Sequence, residues 1–551
     1  MSVRSVTGDE LLGRTWWDLL AERAAQDPTR VAFRFGGPGW DDELTFGAWS
    51  ALATAVARSL AELGVRRGDR VALLSPGSAV WPVMQAACSR LGAVLVPLNS
   101  RYRQDELSYL LARTAPTVLC AIDRLGPADV DARLSQALGS VPGLDPVQIR
   151  FPAPQVPTVA GSAAPGALRG RRRLGWRELI APPVDALAVP PASLATDPVL
   201  LQFTSGTTAF PKGALLSSAS TLRATYELGR RMGLTADDVM YSTQPMYHVG
   251  GSVATTLMAL TIGCTMIVPE RYTAEETFRL VQQHHATART GQAAMYAREL
   301  AHPDFSAGIF RTVTKGWSGG SPELKRAIVE RMGIPDLIST YGLTEAAATT
   351  TACAADDPLE ARLATSGRIL PGLDLAVDDG GRMAPWGTGE ICVRGWSLML
   401  GYDDDPGATS AAVDAHGWLH TGDLGQLDDQ GYLVVVDRIK EMIKPGGENV
   451  APAEVERVIA QMPGVVEVAV VGGPDERLGE VPVAFVEVAA TSGLSQRDVI
   501  DYCADRMASF KVPRDVQLIT VWPMTGSGKV SKAELRARAG AAGLGWIGRT
   551  G

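Results

Sequence analysis

The sequence predicts an α/β protein: a large N-terminal domain of helix-flanked sheets plus a small β-barrel-like module, followed by a small α+β C-terminal domain. Buried-strand patterns such as DRVALLSP (69–76) and AVLVPLN (93–99) alternate with helical patterns, which is typical of a parallel sheet covered by helices. Beyond residue 365, short strand patterns such as GEICVRG (389–395) and GYLVVVD (431–437) alternate with glycine-rich turns instead. That change favours a small antiparallel or barrel-like module.

Length and composition limit the classes of protein to consider. At 551 residues the chain is too long for one hydrophobic core, so two or more domains are expected. A net charge of −8 gives no electrostatic argument for binding nucleic acid. The six cysteines form no CxxC pair, and the sequence shows no signal peptide and no uninterrupted apolar stretch of membrane-spanning length. We therefore expect a cytoplasmic protein with reduced thiols and no membrane span; its oligomeric state does not follow from the sequence.

The elements follow in order along the chain. Apolar spacing predicts helices at 8–26, 44–64, 77–91 and 105–112, with strands at 69–76, 93–99 and 117–122. The stretch 140–170 is rich in proline, glycine and alanine, and we expect a long surface loop there. Helix 217–232, an apolar helix ending near 260 and alternating elements over 275–340 come next. A compact α+β pattern closes the chain, with helices at 452–461 and 495–507 and strands at 465–472, 481–488 and 515–521.

The stretch LQFTSGTTAFPKG (201–213) has a composition suited to phosphate. Its hydroxyls, its freed backbone N–H groups and one lysine can all hold phosphate oxygens. It is not a Walker A loop, because Lys212 follows Pro211 and precedes a glycine. The alternative is a solvated serine-, threonine- and glycine-rich turn. The candidate ligands are Thr204, Ser205, Gly206, Thr207, Thr208 and Lys212.

Six motifs together resemble the adenylate-forming superfamily, and most closely its acyl- and aryl-CoA ligases. In chain order they are TSGTTAFPKG, YGLTE (341–345), GEICVRG, HTGD (420–423), DRIKEMIKPGGENVAPAEVE (437–456) and TGSGKV (525–530). The resemblance covers nearly the whole chain, to about residue 535. It implies that ATP activates a carboxylic acid as an acyl-adenylate, from which the acyl group is then transferred to a thiol, and the resemblance to CoA ligases favours the thiol of CoA.

The resemblance implies roles for the residues of the first step. A carboxylate and ATP are both anionic, so cations and donors must neutralise charge as the adenylate forms. Lys529 resembles the catalytic lysine that bridges carboxylate and α-phosphate. Thr344 would donate to phosphate, and Glu345 resembles the family's Mg²⁺ ligand, a role that suits a carboxylate beside phosphate. His248 occupies the position of a residue that gates the acyl pocket; its alternative is a packed core histidine.

Further positions would hold the nucleotide and CoA. Tyr341 and the backbone of Gly319, Gly320 and Ser321 would border the adenine, and Asp423 and Arg438 would bind the ribose hydroxyls. The resemblance also implies a division into an N-terminal domain (1–437), a hinge (438–440) and a mobile C-terminal domain (441–551). Rotation at Lys440 would withdraw Lys529 after adenylation. The second-step site would then be lined by Lys444, Gly446, Gly447 and Asn449.

Two departures from the family pattern affect the expectations. Ala209 stands where the family prefers glycine, and a Cβ costs about 1 kcal/mol if that position needs a positive φ. In TARTGQAAMY (287–296), Arg289, Thr290, Gly291 and Gln292 replace an apolar or aromatic pocket wall. A hydrocarbon tail against a buried Arg289 or Gln292 would leave polar groups unpaired at a cost of about 1–3 kcal/mol. We therefore expect a polar or aromatic acid rather than a long-chain fatty acid.

Two alternatives stay open beside an acid–CoA ligase. The adenylate of an acid or an unusual oxyacid could pass to a carrier protein or an amine, or the fold could be a catalytically degenerate binding protein. Lys529, Glu345, Asp423 and Thr208 are all present, which argues against degeneracy. The implied partners are a small-molecule acid, ATP and CoA.

Overall fold

The chain forms two compact units in the computed structural model, which describes residues 7–126, 128–152, 168, 170, 172–181, 193–204, 211–446, 448, 450–489, 492–525 and 529–541. The described residues of the first unit fall within Met1–Thr204, Phe210–Asp374 and Arg394–Gly417. Those of the second fall within Leu375–Val393 and Trp418–Gly551. The predicted α/β class, with large sheets near the N-terminus and a small C-terminal domain, is confirmed. The predicted hinge at 438–440 stays a prediction.

A seven-stranded sheet in the first unit positions much of the site. Its strands are parallel except for the last, which forms an antiparallel edge. The parallel arrangement places the carboxyl ends of neighbouring strands at one edge of the sheet. In spatial order the strands are Asp336–Ile338, Lys315–Ser318, Ala288–Gly291, Val239–Ser242, Thr265–Pro269, Val31–Gly37 and Trp40–Thr45.

An eight-stranded sheet forms the other large layer of this unit. Its strands, in spatial order, are Gly401–Tyr402, Gly213–Ser217, Pro198–Phe203, Val94–Pro97, Arg70–Leu74, Val118–Ile122, Val147–Phe151 and Arg173–Gly175. The surface loop predicted for 140–170 is wrong at Val147–Phe151, a largely buried strand between two parallel neighbours. Its five residues carry a strand pattern that the surrounding proline and glycine residues obscured.

Helices flank these sheets, as alternating patterns predicted. The helix predicted at 8–26 is two helices, because Thr15 caps a new start with Asp18. The helices of the first unit are Gly8–Leu11, Trp16–Gln26, Phe46–Glu62, Val80–Leu91, Gln104–Thr114, Val130–Gly139, Trp176–Ile180, Ser218–Arg231, Val249–Ser252, Met258–Thr261, Ala274–Gln283, Ala293–Leu300, Pro322–Ala327, Leu359–Ala364 and Pro406–Ala412. The first unit also contains short 3₁₀ helices at Ala307–Phe310 and Thr344–Ala346 and a π-helical turn at Ile328–Met332. Two small antiparallel sheets complete this unit; one pairs Arg124–Leu125 with Ala128–Asp129, and the other contains Thr340–Tyr341, Thr351–Ala352 and Arg368–Ile369.

Two hydrophobic clusters fill the first unit. The larger cluster contains residues from both sheets, for example Leu95 and Met266. The smaller cluster packs one face of the seven-stranded sheet, including Tyr241, against helices such as the one carrying Phe278. Strand residues therefore face one cluster or the other according to the alternation of the strand.

The second unit contains an antiparallel sheet and a compact α+β domain. The sheet strands, in spatial order, are Met383–Ala384, Leu373–Asp378, Gly387–Gly395, Leu419–Leu427 and Leu433–Arg438, with the ends of two strands belonging to the first unit. The α+β domain has strands Val465–Asp475, Gly479–Val488 and Asp515–Leu518, helices Pro452–Ala460, Gln496–Ala504 and Lys532–Ala541, and a 3₁₀ turn at Ile439–Glu441 before it. Across the described ranges of both units, we find no helix with the length and apolarity needed to cross a membrane.

Candidate active site

The two ends of the predicted phosphate loop meet in the first unit. Strands Pro198–Phe203 and Gly213–Ser217 pair antiparallel, with Phe203 opposite Gly213. The Thr204 N–H donates to the Lys212 carbonyl at 2.9 Å, which closes the base of the loop. The structure therefore brings Thr204 and Lys212 together. The other predicted loop residues lie outside the described residues; they are Ser205, Gly206, Thr207, Thr208 and Ala209.

Tyr402 connects the predicted phosphate lysine to the predicted metal ligand. Lys212 Nζ lies 5.0 Å from the centroid of the Tyr402 ring, within the range of a cation–π contact. The Tyr402 hydroxyl donates to Glu345 Oε1 at 2.8 Å. Sequence reasoning missed Tyr402, which lies on the two-residue strand Gly401–Tyr402 and gains its role only by pairing with the strand Gly213–Ser217. The pairing sets a cation, a ring and a carboxylate in one row.

The backbone around Glu345 is tightly constrained. A Cβ at Gly342 would lie 2.1 Å from the Ala348 carbonyl oxygen, so this close approach requires glycine. Ala347 and Ala348 both have positive φ, at +53° and +78°, which is strained for residues with a Cβ. The Glu345 carbonyl also accepts from the Met399 N–H at 2.7 Å. The strained turn holds the Glu345 carboxylate in place.

Glu345 fits the part of a ligand to a hard cation. The hydrogen bonds of its side chain within the described chain involve Oε1, which leaves the Oε2 lone pairs for a metal. Thr344 precedes it and is buried, and Tyr341 is half-buried on a short strand in the same segment. A single carboxylate beside phosphate ligands is a donor set that Mg²⁺ accepts. The residues present therefore fit the predicted metal.

Gly319, Gly320 and Ser321 form the turn that follows the strand Lys315–Ser318. Gly320 has a φ of +100°, and an added Cβ would lie 2.8 Å from Ala293 Cβ, so a glycine is required. Ser321 caps the helix Pro322–Ala327 by accepting from the Leu324 N–H at 3.2 Å. A Cβ at Gly319 would meet nothing within 4 Å. The backbone of this turn is thus open at Gly319, while the Ser321 hydroxyl is committed to capping.

His248 is a half-buried cap rather than a packed core histidine. Its Nδ1 accepts from the Gly250 N–H at 3.2 Å at the start of the helix Val249–Ser252. That bond places the proton of the neutral ring on Nε2. This bond holds the His248 ring in one orientation at the start of the helix, and its gating role stays a prediction.

The structure corrects the reasoning about Arg289. Its side chain is fully buried (0% exposed) and pairs with Glu299, which is equally buried, through two hydrogen bonds, one of them 3.1 Å long. The guanidinium also lies 4.0 Å from the Tyr296 ring centroid, inside the smaller cluster. Burial opposes the charge, but Glu299 raises the pKa of Arg289 above its usual value. Arg289 is a paired core residue and does not supply an unpaired polar wall to a pocket.

In the second unit Asp423 and Arg438 lie opposite each other on adjacent antiparallel strands. Arg438 Nε contacts Asp423 Oδ1 at 3.0 Å, and the Asp423 side chain is buried. The Asp423 N–H donates to the Thr421 hydroxyl, which donates in turn to the Ile391 carbonyl. The structure therefore brings together the two residues predicted to share the ribose, and orients the turn that carries Asp423.

Glu390 holds this turn and was missed by sequence reasoning. Its Oε1 accepts from the Gly422 N–H at 2.8 Å, and its Oε2 lies 3.0 Å from His420 Nδ1. Cys392 Sγ lies 3.5 Å from the same nitrogen, so the three side chains form one cluster. Spacing along the sequence gave no hint of it, because 28 residues separate Cys392 from His420. The cluster supports the turn that presents Asp423.

Lys529 lies at the base of a hairpin turn in the second unit. Its N–H donates to the Thr525 hydroxyl at 3.1 Å, and its carbonyl accepts from the Thr525 N–H at 2.7 Å. Part of the side chain is exposed, yet the crowding of protein atoms around the ammonium lowers the pKa of Lys529. Arg438 lowers that pKa further, while Asp423 and Glu441 oppose the shift. Lys529 and the predicted ribose pair are therefore electrostatic neighbours.

The predicted second-step residues occupy the start of the α+β domain. Lys440 and Lys444 are exposed, and the Lys444 N–H donates to Glu480 Oε2 at 3.1 Å. Gly446 has a φ of +60°, and its N–H donates to the Leu478 carbonyl at 2.9 Å. The predicted residues Gly447 and Asn449 lie outside the described residues.

Comparison with known proteins identifies the family. The model of the AMP-binding enzyme family matches residues 20–403, and that of the AMP-binding enzyme C-terminal domain matches residues 454–529. The chain belongs to the AMP-binding enzyme family. A Mycobacterium tuberculosis relative, a 3-[(3aS,4S,7aS)-7a-methyl-1,5-dioxo-octahydro-1H-inden-4-yl]propanoyl:CoA ligase, is 36% identical over 487 residues, covering 87% of this chain and 91% of its own.

Two further proteins are similar to this chain over most of its length. The mitochondrial medium-chain acyl-CoA ligase of Homo sapiens is 33% identical over 514 residues, covering 90% of this chain and 83% of its own. The crystal structure of an anthranilate CoA ligase with anthranoyl-AMP superimposes with a TM-score of 0.83 at 26% identity, covering 98% and 99% of the two chains. These AMP-binding enzymes confirm the predicted class, an AMP-forming ligase that activates an acid with ATP and passes it to CoA.

Proposed function

We propose that this AMP-binding enzyme converts a polar or ring-bearing carboxylic acid, ATP and CoA into acyl-CoA, AMP and pyrophosphate. The observation that carries the proposal is the row formed by Lys212, Tyr402 and Glu345 in the first unit. It supplies a cation for phosphate oxygens beside a carboxylate with a lone pair available for a metal.

The first step makes the adenylate. A carboxylate oxygen attacks the α-phosphorus, the bond from that phosphorus to the bridging oxygen breaks, and pyrophosphate leaves. Lys529 neutralises the charge that develops between the two anions, which requires its protonated form. Lys212 and the threonine and serine residues of the loop hold the departing phosphates. Glu345, beside Thr344, would hold Mg²⁺, which would add charge neutralisation when bound.

Other residues orient the nucleotide. Asp423 accepts from the ribose hydroxyls while Arg438 holds its carboxylate in position, a role supported by the 3.0 Å contact between them. Tyr341 and the open backbone at Gly319 border the adenine. His248, fixed by its bond from Gly250, closes the acyl pocket.

The second step transfers the acyl group. The CoA sulfur attacks the acyl carbon, the bond from that carbon to the phosphate oxygen of AMP breaks, and AMP leaves. We propose that rotation at Lys440 withdraws Lys529 and that Lys444, Gly446, Gly447 and Asn449 line the path of the CoA arm. A positive φ at Gly446 supports this, because glycine allows a ligand to approach the backbone closely.

The preference for a polar or ring-bearing acid rests on the relatives rather than on Arg289. One relative is a ligase for a propanoyl group on a dioxo bicyclic ring, and the structural neighbour is an anthranilate ligase. The medium-chain acyl-CoA ligase is the counter-example, and it makes an unsubstituted acid the second candidate.

One assay tests the proposal. ATP–pyrophosphate exchange is measured over a panel of bicyclic keto acids, aryl acids and medium-chain fatty acids, and CoA is then added. We expect exchange with ring-bearing acids and an acyl-CoA product. Exchange without acyl-CoA formation would favour a carrier-protein thiol or an amine as acceptor. The absence of exchange with every acid, together with no ATP binding, would indicate a degenerate binding protein.

A further inference from the structure

Two buried glutamines each leave one side-chain atom without a hydrogen-bond partner. Gln244 is 6% exposed and Gln202 is 3% exposed. Both atoms are buried: within the described ranges, Gln244 Nε2 donates no hydrogen bond and Gln202 Oε1 accepts none. The other end of Gln202 is fixed, since its Nε2 donates to the Tyr247 carbonyl at 3.0 Å. Buried polar groups nearly always have a hydrogen-bond partner, so these two atoms are candidates for contact with a ligand.

Both glutamines lie where an α/β sheet binds ligands. Gln244 follows the carboxyl end of the strand Val239–Ser242, at the edge where the strands Ala288–Gly291 and Lys315–Ser318 also end. Ligands of open parallel sheets bind outside this edge. Gln202 lies near the carboxyl end of the strand Pro198–Phe203 in the other sheet. Its bond to the Tyr247 carbonyl joins that strand to the segment that follows Gln244.

Polar side chains line one face of the seven-stranded sheet beside the segment that carries Gln244. Ser242 Oγ and Thr290 Oγ1 are 3.3 Å apart, and Thr290 is in register with Trp317 on the next strand. Trp317 packs against the larger cluster, and its Nε1 is, like Gln244 Nε2, a buried donor without a partner among the described residues. The backbone N–H of Gln244 donates to Ser242 Oγ at 3.3 Å, which holds the Gln244 backbone at the end of this strand. Arg289 points to the opposite face.

The polarity of these atoms defines a ligand chemistry. Gln244 Nε2 needs an acceptor, which a ketone or a hydroxyl oxygen provides. Gln202 Oε1 needs a donor, which a hydroxyl provides and a ketone does not. Because Arg289 is neutralised by Glu299 on the other face, it cannot select a second carboxylate here. A wholly hydrocarbon acid would leave these amide atoms buried and unpaired.

We propose that Gln244, supported by Gln202, selects acids that carry an oxygen substituent on their hydrocarbon part, so that the substrate is an oxo- or hydroxy-substituted carboxylic acid. The inference rests on the proposed CoA-ligase function and names the substrate class for it. Gln244 and Gln202 are specificity-determining residues that contact the acyl part and take no part in bond making.

The test compares acids that differ only by an oxygen. The probes are 3-cyclohexylpropanoate and its derivatives with a ketone or a hydroxyl at ring position 2, 3 or 4, and acyl-CoA formation is followed as kcat/KM. We expect the best oxygenated probe to exceed the unsubstituted acid by about 10-fold or more. Gln244→Leu should remove this preference, because it should raise kcat/KM for the unsubstituted acid and lower kcat/KM for the oxygenated one. Gln202→Met should reduce kcat/KM for the hydroxyl derivatives more than for the ketones.

A matched control separates specificity from folding. Gln85 is equally buried, but its Nε2 is satisfied by the Ser252 carbonyl at 2.9 Å. Gln85→Leu should lower the thermal midpoint and leave the preference for oxygenated acids unchanged. Turnover of unsubstituted acids with no gain from any ring oxygen, or the same preference in Gln244→Leu as in the wild type, would overturn this proposal and leave the CoA-ligase function standing. The absence of pyrophosphate exchange with every acid would overturn both.

Discussion

Lys529 and Lys532 are separated by only three positions, yet their pKa values move in opposite directions. Lys532 Nζ contacts Glu456 at 2.8 Å and Glu441 at 3.7 Å. Burial opposes the charge of Lys532, but Glu456, Asp437 and Glu441 raise its pKa. The pKa of Lys529 is instead lowered, first by crowding and then by Arg438. One lysine is held by carboxylates, whereas the other is kept near a second cation.

The opposite pKa shifts distinguish a structural cation, Lys532, from a cation that is available to a substrate, Lys529. Lys532 ties its helix to Glu456 on the helix Pro452–Ala460 and to Glu441 near the predicted hinge. Lys529 makes no ion pair within 4 Å in the described part of the chain, although the charges of Asp423 and Glu441 act on it, so an incoming anion would not have to displace a carboxylate bonded to it. Lys325 in the first unit shows that a lowered pKa alone is no sign of catalysis, because burial is the main cause at both lysines, while the Lys325 ammonium is bonded to Ser339 inside the protein.

The largest expected effect comes from removing the available cation. Lys529→Ala should reduce ATP–pyrophosphate exchange by roughly 1,000-fold, because charge neutralisation between carboxylate and α-phosphate is lost. Thioester formation from a synthetic acyl-adenylate and CoA should stay within about 2-fold of the wild type. The two half-reactions are measured separately on the same preparation. An equal loss in both would contradict a role confined to adenylation.

A smaller effect, on the pH dependence of stability, is expected from Lys325. Lys325 is 5% exposed, its Nζ donates to Ser339 Oγ at 2.8 Å, and burial lowers its pKa from 10.5 to about 8. Below pH 8 the folded state carries the full cost of the buried charge. That cost is relieved as the pH rises toward 10.5, because the unfolded chain then binds more protons than the folded one.

The free energy of unfolding should therefore increase as the pH rises. From pH 7 to pH 9.5, the wild type should gain about 2 kcal/mol relative to Lys325→Met, measured by urea denaturation of both proteins. Titration of other groups cancels in the difference between the two. A difference that stays constant over this range would mean that burial does not depress the pKa of Lys325.

The smallest effect is expected from the lysine held by carboxylates. Lys532→Met should lower the free energy of unfolding by about 1 kcal/mol, since it breaks a partly buried ion pair. Because the pKa of Lys532 is raised, the stabilisation is full below the unfolded pKa and is lost as the pH rises through the folded one. Both half-reactions should continue, which makes this variant the matched control for Lys529→Ala. A loss of adenylation comparable to that of Lys529→Ala would erase the distinction between the two lysines.

Local patterns predicted much of the fold and the site. The alternation of strand and helix patterns predicted the parallel sheets, and the helices predicted at 217–232 and 452–461 agree with Ser218–Arg231 and Pro452–Ala460. The motifs also assigned Asp423 and Arg438 to one shared role at the ribose, which stays a prediction, and the structure brings the two side chains into contact across two strands. These features depend on residues close in sequence or on whole motifs, so they can be read along the chain.

Tertiary contacts decided what the patterns could not. Arg289 suggested a polar pocket wall until the fold placed Glu299 beside it, ten positions away in sequence but across a strand and a helix. Tyr402 and Glu390 entered the site only through strand pairing and a turn contact.

The sequence by itself determined the family chemistry, because its residue types and spacing specify which groups can bind phosphate, ribose and a metal. The tertiary structure decided which polar groups are paired and which remain for a ligand. Arg289 lies on one strand of the seven-stranded sheet and Gln244 follows the neighbouring strand; both are buried polar side chains, and only their neighbours in space distinguish a neutralised core residue from an unpaired amide. The physical reason is that the desolvation of a polar group is offset by partners that are remote in sequence.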